Sequence, residues 1–497
     1  MSDDRLLPIL RERFGLAEFR GAQRRVIDHL LAGGDAIVVW PTGSGKSLVY
    51  QLPALVPALT SGPVLVLSPL IALMQDQVVA LRARGIAATF VNSTVERAER
   101  DRRAAEFAAG RWRLLYVTPE RFRSESFLAA IGARTGPAGF GPKVGLLAVD
   151  EAHCITTWGH DFRPEYGRVG RVRELLGRPP TVALTATATP ATLEEIGRKL
   201  ELRAPLVDHA GLARPNLFLS VTIVRDETEK WDLIAARLDR LRGAGIVYGA
   251  LIRDLHRLEE FLRVRQARLL VYHGDLSREE RRAVHDRFRD PAATPRVLAT
   301  RAFGMGIDRP DLRFLLHHQV PGSIEELWQE VGRAGRDGLP SWCELFYCEQ
   351  DLPIQMEFVR AANPDRRLYR EVARRVQEFA SRGESFDLEK LRQEVTGRGA
   401  ADGRVETCLQ WIAALRADDG IAALGIDEGE AWEPDELGPE KERRDLARLQ
   451  KVVDYVRSDR CRRRFLHDYF GVEPPEPTNC GACDVCVDRE QWLTERR

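Results

Sequence analysis

The chain has 497 residues, 44% of them hydrophobic, and 74 basic side chains balance 74 acidic ones. That length holds about three ordinary domains, and zero net charge excludes a uniformly basic or acidic surface, so any face for a polyanion must be local. No apolar run approaches the roughly 18 residues that cross a bilayer, and the acidic start MSDDRLLPIL lacks a signal peptide's apolar core, so the expectation is a cytoplasmic protein with no membrane partner. Only seven of the basic residues are lysines, a preference for arginine that weakens the meaning of any single arginine cluster.

In chain order, short apolar runs alternate with amphipathic stretches: AIVVW (36–40), VLVLS (64–68), AATFV (87–91), LLYV (114–117), GLLAV (145–149) and VALTA (181–186 with its flanking Thr). Buried strands spaced by helices predict a parallel sheet covered on both faces. A second series follows in FLSVTI (218–223), GIVYGA (245–250), LLVY (269–272), RVLA (296–299), RFLLH (313–317) and CELFYC (343–348). Two α/β domains are predicted, residues 1–206 and 207–351, joined near LVDHAGLARPN (206–216).

The first strand runs into PTGSGKS (41–47), followed by the apolar LVYQLPALV. In the loop Thr42, Gly43, Ser44, Gly45, Lys46 and Ser47, the glycines let backbone N–H groups close around phosphates at a helix start. Lys46 would reach the terminal phosphates, and the Ser47 hydroxyl would bind Mg²⁺. The form is a variant, with Trp40 where the general pattern has glycine. Asp150 and Glu151 close the strand GLLAV, at the edge where an open α/β sheet presents ligands. With a phosphate loop nearby, Asp150 is assigned to Mg²⁺ and Glu151 to the attacking water of phosphoryl transfer. The segment QEVGRAGRDG (329–338) offers Arg333 and Arg336, which share one face if helical. They could neutralise transition-state charge from the second domain, or form a solvated basic helix end.

After Asp351 the strand rhythm stops. Residues 352–382 read as helical, and LEKLRQEV (388–395), RVETCLQWIAAL (404–415) and GIAALGIDEGEAWEP (420–434) read as helix, helix and a glycine-turned strand pair. That order suits a winged helix that binds nucleic acid, and equally any small α+β insert. A polar linker, DELGPEKERRD (435–445), separates this insert, residues 352–440, from a C-terminal subdomain, residues 441–497. There Cys461, Cys480, Cys483 and Cys486 have the spacing C-x18-C-x2-C-x2-C. Four thiolates suit a closed, structural Zn²⁺ site, while the close spacing also permits an iron–sulfur cluster. Arg460 and Arg462 to Arg464 could touch a DNA backbone or line a solvated helix face. Cys154, Cys343, Cys348 and Cys408 stand among apolar neighbours and read as core thiols.

PTGSGKS, LSPLIALMQDQ (67–77), TPERF (118–122), DEAH with its sequel WGHDFRPEY, LTATAT (184–189), AFGMGIDRP (302–310) and QEVGRAGRDG resemble, in order, the motif set of RecQ-type superfamily 2 DNA helicases. The resemblance implies two RecA-like parallel-sheet domains, ATP hydrolysis and 3′ to 5′ movement on single-stranded DNA, with tailed duplex DNA as partner, in repair or recombination. FGLAEFRGAQ (14–23) is similar to the family's adenine-recognition motif, which implies base contacts from Arg20 and Gln23. It departs at Gly21-Ala22, where Pro-Gly is usual, and at Leu16, where an aromatic often stands. Asp308 is carried over to the nucleotide site, and Ser68 and Thr118 to DNA contact. Trp158, Phe162 and Arg163 would stack on or contact exposed bases and report strand occupancy to the nearby carboxylates.

IVYGALIRDLHRL (246–258) departs from the family's Cys-Ser-Arg character. RecQ proteins commonly continue into a winged helix and a helical domain, for which the eleven residues after Cys486 leave no room. Zinc fits the family's metal-binding subdomain, whose first ligand comes from a helix. The functions expected are therefore an ATP-dependent DNA helicase, a DNA-stimulated translocase with little unwinding, or a nucleotide-gated DNA clamp.

Overall fold

The computed structural model describes residues 5–56, 62–132, 144–155, 166, 168–265, 269–304, 309–382, 388–396, 403–409, 412, 439–474 and 479–495. Its first sheet contains β1 (Ala36–Val39), β2 (Val64–Leu67), β3 (Ala88–Val91), β4 (Leu114–Val117), β5 (Leu146–Val149), β6 (Thr181–Thr185) and β7 (Leu206–His209). They pair in the order β3-β4-β2-β5-β6-β1-β7, every pair parallel. β1, β2, β4, β5 and β6 are buried at every position, which is why they read as unbroken apolar runs rather than alternating ones. Because all seven strands point one way, the loops after β1, β5 and β6 open on a single edge. β6 lies between the other two.

The second sheet holds β8 (Leu217–Ile223), β9 (Ala244–Tyr248), β10 (Leu270–Tyr272), β11 (Arg296–Ala299), β12 (Leu312–His317) and β13 (Ser341–Tyr347), in the parallel order β10-β11-β9-β12-β13-β8. Two parallel sheets are therefore present, as the two series of apolar runs predict. β7 is the element that the run pattern does not reveal. Its LVDH mixes polar and apolar residues and is only partly buried, because it is an edge strand. The segment read as a joint thus begins with a strand of the first sheet, paired with β1.

Helix Asp351–Ala362 leaves the second sheet and pairs with helix Pro439–Arg457. Asn363 Nδ2 donates to Asp445 Oδ2 at 2.9 Å, and Lys441 Nζ donates to Ala362 O at 3.1 Å. The insert therefore leaves and returns at one place. Helices Arg366–Arg382 and Leu388–Thr396 carry their own small core, in which Val372, Leu391, Val405 and Cys408 are fully buried. The expected strand pair at 420–434 lies outside the described residues. The second half of the expected linker is corrected: Pro439 opens a 19-residue helix, with Glu440 and Glu442 in its first turn. Proline at a helix start, with acids beside it, is favoured there and reads as polar linker when the helix behind it is not recognised.

The C-terminal subdomain docks on the β8 edge of the second sheet. Leu219 N donates to Ala482 O at 3.1 Å, and Asp484 N donates back to Leu219 O at 3.0 Å. Trp492 packs 4.9 Å from Phe218, centroid to centroid. Of the arginines that could touch DNA or line a solvated face, Arg463 reaches the junction, its Nη2 donating to Leu217 O at 2.6 Å, and the other two described pairs lie within the subdomain. Arg460 pairs with Asp468, and Arg462 Nε donates to Asp484 Oδ1 at 2.9 Å. Cys154, Cys343, Cys348 and Cys408 are buried, as expected of core thiols.

Candidate active site

The loop after β1 turns twice through left-handed backbone, with Gly43 at φ +85° and Gly45 at +82°. A side chain at either position would be strained, and at Gly45 it would also meet Gln23 Nε2 at 2.6 Å. Trp40, where the general pattern has glycine, anchors the loop's start: its Nε1 donates to Asp208 Oδ1 on β7 at 2.6 Å. Lys46 Nζ donates to Trp40 O at 2.8 Å. Burial lowers the Lys46 pKa, Glu151 and Asp150 pull it back up, and Arg336 lowers it further. Gln23 is buried and folded onto the same loop, its Nε2 donating to Ser44 O at 3.3 Å and Gly45 O at 3.2 Å. Its Oε1 accepts from Arg20 N at 2.8 Å. The expected adenine contacts are thus tied to the phosphate loop, and the Arg20 side chain is exposed beside them.

Asp150 stands at the end of β5, its carbonyl accepting from Tyr166 OH at 2.9 Å. Burial, then the charge of Glu151, pushes its carboxyl up to about 7. Lys46, the Glu151 N–H at 3.1 Å and the Ser68 hydroxyl act the other way. A carboxylate held at such a penalty is relieved by a cation, and hard oxygen donors from Asp150 and Ser47 fit Mg²⁺. Glu151 takes φ +50°, an uncommon conformation for a residue with a side chain. His153 Nδ1 lies 3.4 Å from Glu151 Oε2 and 3.0 Å from Thr185 Oγ1, at the end of β6.

The second lobe closes on this edge. Gln329 Nε2 donates across the cleft to Thr187 Oγ1 at 3.1 Å, and Thr187 N donates to Thr185 Oγ1 at 3.3 Å. Arg336 lies over the phosphate loop: a Cβ on Gly43 would stand 3.7 Å from Arg336 Cδ. Arg333 and Arg336 do not share a helix face. Helix Ile324–Val331 stops short of both, and Arg333 instead faces Gly304, its Nη2 3.1 Å from a Cβ placed there. Gly335, between the two arginines, takes φ +53° and leaves the helical region altogether.

Ser68 and Thr118, expected to meet DNA, are buried as whole residues, at 1% and 5% exposed, and Ser68 N donates to Val117 O at 3.0 Å. Trp158, Phe162, Arg163 and Asp308 lie outside the described residues. The Sγ atoms of Cys461, Cys480, Cys483 and Cys486 all lie within 4.8 Å of one another, as four thiolates around one tetrahedral ion require. Cys461 immediately precedes helix Arg462–Phe470. The sequence alone assigns no role to His153, Thr185, Thr187 or Gln329. The signal was present in the last letter of DEAH and in the alternate threonines of LTATAT, but its meaning depends on β6 lying between β1 and β5.

Residues 20–196 match the family described as DEAD/DEAH box helicase, residues 230–338 the helicase conserved C-terminal domain, and residues 426–487 the RecQ zinc-binding family. The chain is 34% identical over 482 residues to an ATP-dependent DNA helicase RecQ of Bacillus subtilis, covering 97% of this chain and 66% of that protein. It is 33% identical over 485 residues to a probable ATP-dependent DNA helicase RecS of the same organism, covering 97% and 92%. To a RecQ of Pasteurella multocida it is 39% identical, covering 97% of this chain and 62% of the relative. The chain thus spans just under two thirds of these RecQ relatives' own length. Among solved structures, Saccharomyces cerevisiae Dbp5 bound to RNA and ADP BeF3 is similar at a TM-score of 0.55 and 18% identity, over 71% of this chain and 89% of that one. Mycobacterium smegmatis helicase Lhr bound to single-stranded DNA and AMP-PNP is similar at 0.53 and 22% identity, over 81% and 56%. Those two similarities speak to the fold alone.

Proposed function

The chain belongs to the RecQ family of superfamily 2 helicases, and from that premise we propose that it is an ATP-dependent DNA helicase. In this reading it hydrolyses ATP between its lobes while moving 3′ to 5′ on single-stranded DNA and opening tailed duplexes. The observation that carries the reading is the placement of Arg336 from one lobe over the Gly43 to Lys46 loop of the other, beside Asp150 and Glu151. Thr42 to Ser47 bind the phosphates, with Lys46 neutralising their charge, and Arg20 and Gln23 meet the base. Asp150 and Ser47 hold Mg²⁺, which when bound supplies charge neutralisation to the phosphates. Glu151 orients the attacking water, and Arg336 stabilises the charge that develops on the transferred group, with Arg333 beside it and Asp308 completing the nucleotide contacts.

Trp158, Phe162 and Arg163 grip unpaired bases by stacking and charge. The four cysteines hold one structural Zn²⁺, a colourless site, whereas an iron–sulfur cluster would colour the protein. Work on DNA in repair or recombination in the cytoplasm fits the family. Among the described residues no helix is long and apolar enough to cross a membrane. The deciding assay compares ATP turnover and strand displacement on a 3′-tailed duplex and a blunt one. The helicase reading expects both activities on the tailed substrate. Turnover without displacement would make the protein a translocase, and neither would make it a nucleotide-gated clamp.

A further inference from the structure

The segment that joins the lobes grips the loop that carries the two arginines. Arg214, between β7 and β8, turns its guanidinium back on that loop: Nη1 donates to Gly332 O at 2.9 Å, and Nη2 donates to Ala334 O. Asn216 holds the next stretch, its Nδ2 donating to Gly335 O at 2.8 Å and to Leu339 O at 2.9 Å. Gly335 permits this approach, since a Cβ there would stand 2.5 Å from Asn216 Nδ2 and 2.6 Å from Ser341 Oγ. Carbonyls past a helix end need donors from elsewhere, and here two side chains of the joint supply four such bonds around Arg333 and Arg336.

A third side chain holds the joint itself. Arg463 Nη2 donates to Arg214 O and to Leu217 O, each at 2.6 Å. Arg463 belongs to helix Arg462–Phe470, two residues beyond Cys461, so two side chains, Arg463 and Arg214, link the cysteine subdomain to the arginine loop.

We propose that Arg214 and Asn216 are positioning residues that set the posture of the Arg333 and Arg336 loop, and that Arg463 conveys the seating of the cysteine subdomain to them. The joint is the segment that must bend when the lobes close or part, so lobe geometry and arginine placement change together. Charge stabilisation at a reacting phosphate depends steeply on distance, and a displacement of about 1 Å can cost on the order of 100-fold in rate. This inference rests on the reading of Arg336 as the group that neutralises charge on the phosphates.

The test uses the full chain and the variants Arg214→Gln, Arg214→Lys, Arg463→Gln and Arg336→Ala. Each is measured for DNA-stimulated kcat, KM for ATP, affinity for a fluorescent non-hydrolysable ATP analogue, melting temperature and zinc content. Arg214→Gln is expected to lower kcat about 10- to 100-fold, with KM and analogue affinity within about twofold of wild type. Arg463→Gln should act in the same direction by about 3- to 10-fold with full zinc content, and Arg214→Lys, which keeps a cationic donor, should recover most of the loss.

If Arg214→Gln fails to fold, Arg463→Gln decides alone. A kcat within about twofold of wild type in Arg463→Gln and in any folded Arg214→Gln overturns the proposal. So does a loss of kcat matched by an equal loss of analogue affinity. Arg336→Ala separates the two readings. Full turnover in that variant removes the assignment of Arg336, whereas a crippled Arg336→Ala beside an unaffected Arg214→Gln removes only the brace.

Discussion

At the scale of single residues, Glu151 concentrates the constraints of the cleft. Its backbone takes the left-handed φ of +50°, and His153 Nδ1 stands between its carboxylate and Thr185 Oγ1 on the neighbouring strand. Glu151→Gln keeps the shape and removes the charge, so ATP affinity should hold while kcat falls about 10²- to 10⁴-fold. A pre-steady-state comparison of nucleotide binding and turnover checks this, and loss of both together would assign Glu151 to binding.

Lys46, Asp150 and Glu151 were legible because each sits in a contiguous motif beside a strand end. Lys230 and Asp351 were not. They stand 121 positions apart, yet the Lys230 ammonium lies 2.7 Å and 2.8 Å from the two Asp351 carboxylate oxygens, both side chains buried. Nothing in local spacing announces such a pair. Lys230→Met should destabilise the second lobe by about 3–5 kcal/mol by leaving a buried carboxylate unpaired, and Lys230→Met with Asp351→Leu should recover most of that. Urea midpoints of the single and double variants test it.

At the scale of elements, apolar runs revealed the buried strands, because a parallel strand covered on both faces has no polar positions to confuse it. The edge strand β7 and the helix opened by Pro439 escaped, since their solvent-facing residues carry the composition of a loop. The same limit applies to Arg333 and Arg336. Their spacing of three places them on one face only in a continuous helix, and Gly335 ends that continuity.

The cysteine subdomain is legible as a metal site from spacing. Its docking on β8 is not, because it is built on backbone pairs at Leu219, Ala482 and Asp484 and on side chains far apart in sequence, such as Trp492 on Phe218. Zinc removal should therefore loosen residues 439–495 and the β8 edge together. Hydrogen exchange on chelator-treated protein should show lost protection at Leu219 and Val221, with β1 to β6 unchanged. Protection retained at Leu219 without metal would show that the backbone pairing at the junction holds independently of the ion.

At the scale of the whole molecule, two parallel sheets bring unlike chemistry to one seam. The phosphate loop and the carboxylates come from the first lobe, and the arginines come from the second. Gln329 to Thr187 and Arg289 to Asp76 bridge the lobes directly, at 3.1 Å and 3.2 Å. Because Lys46 is the side chain proposed to meet the phosphates and is given no DNA contact in that reading, it is the cleanest place to separate hydrolysis from movement. The decisive measurement follows ATP turnover and strand displacement together on a 3′-tailed duplex, for wild type and Lys46→Ala. Wild type should turn over ATP and displace the strand, and Lys46→Ala should do neither while still binding single-stranded DNA. Displacement that persists in Lys46→Ala without turnover would contradict the coupling of hydrolysis in this cleft to work on DNA.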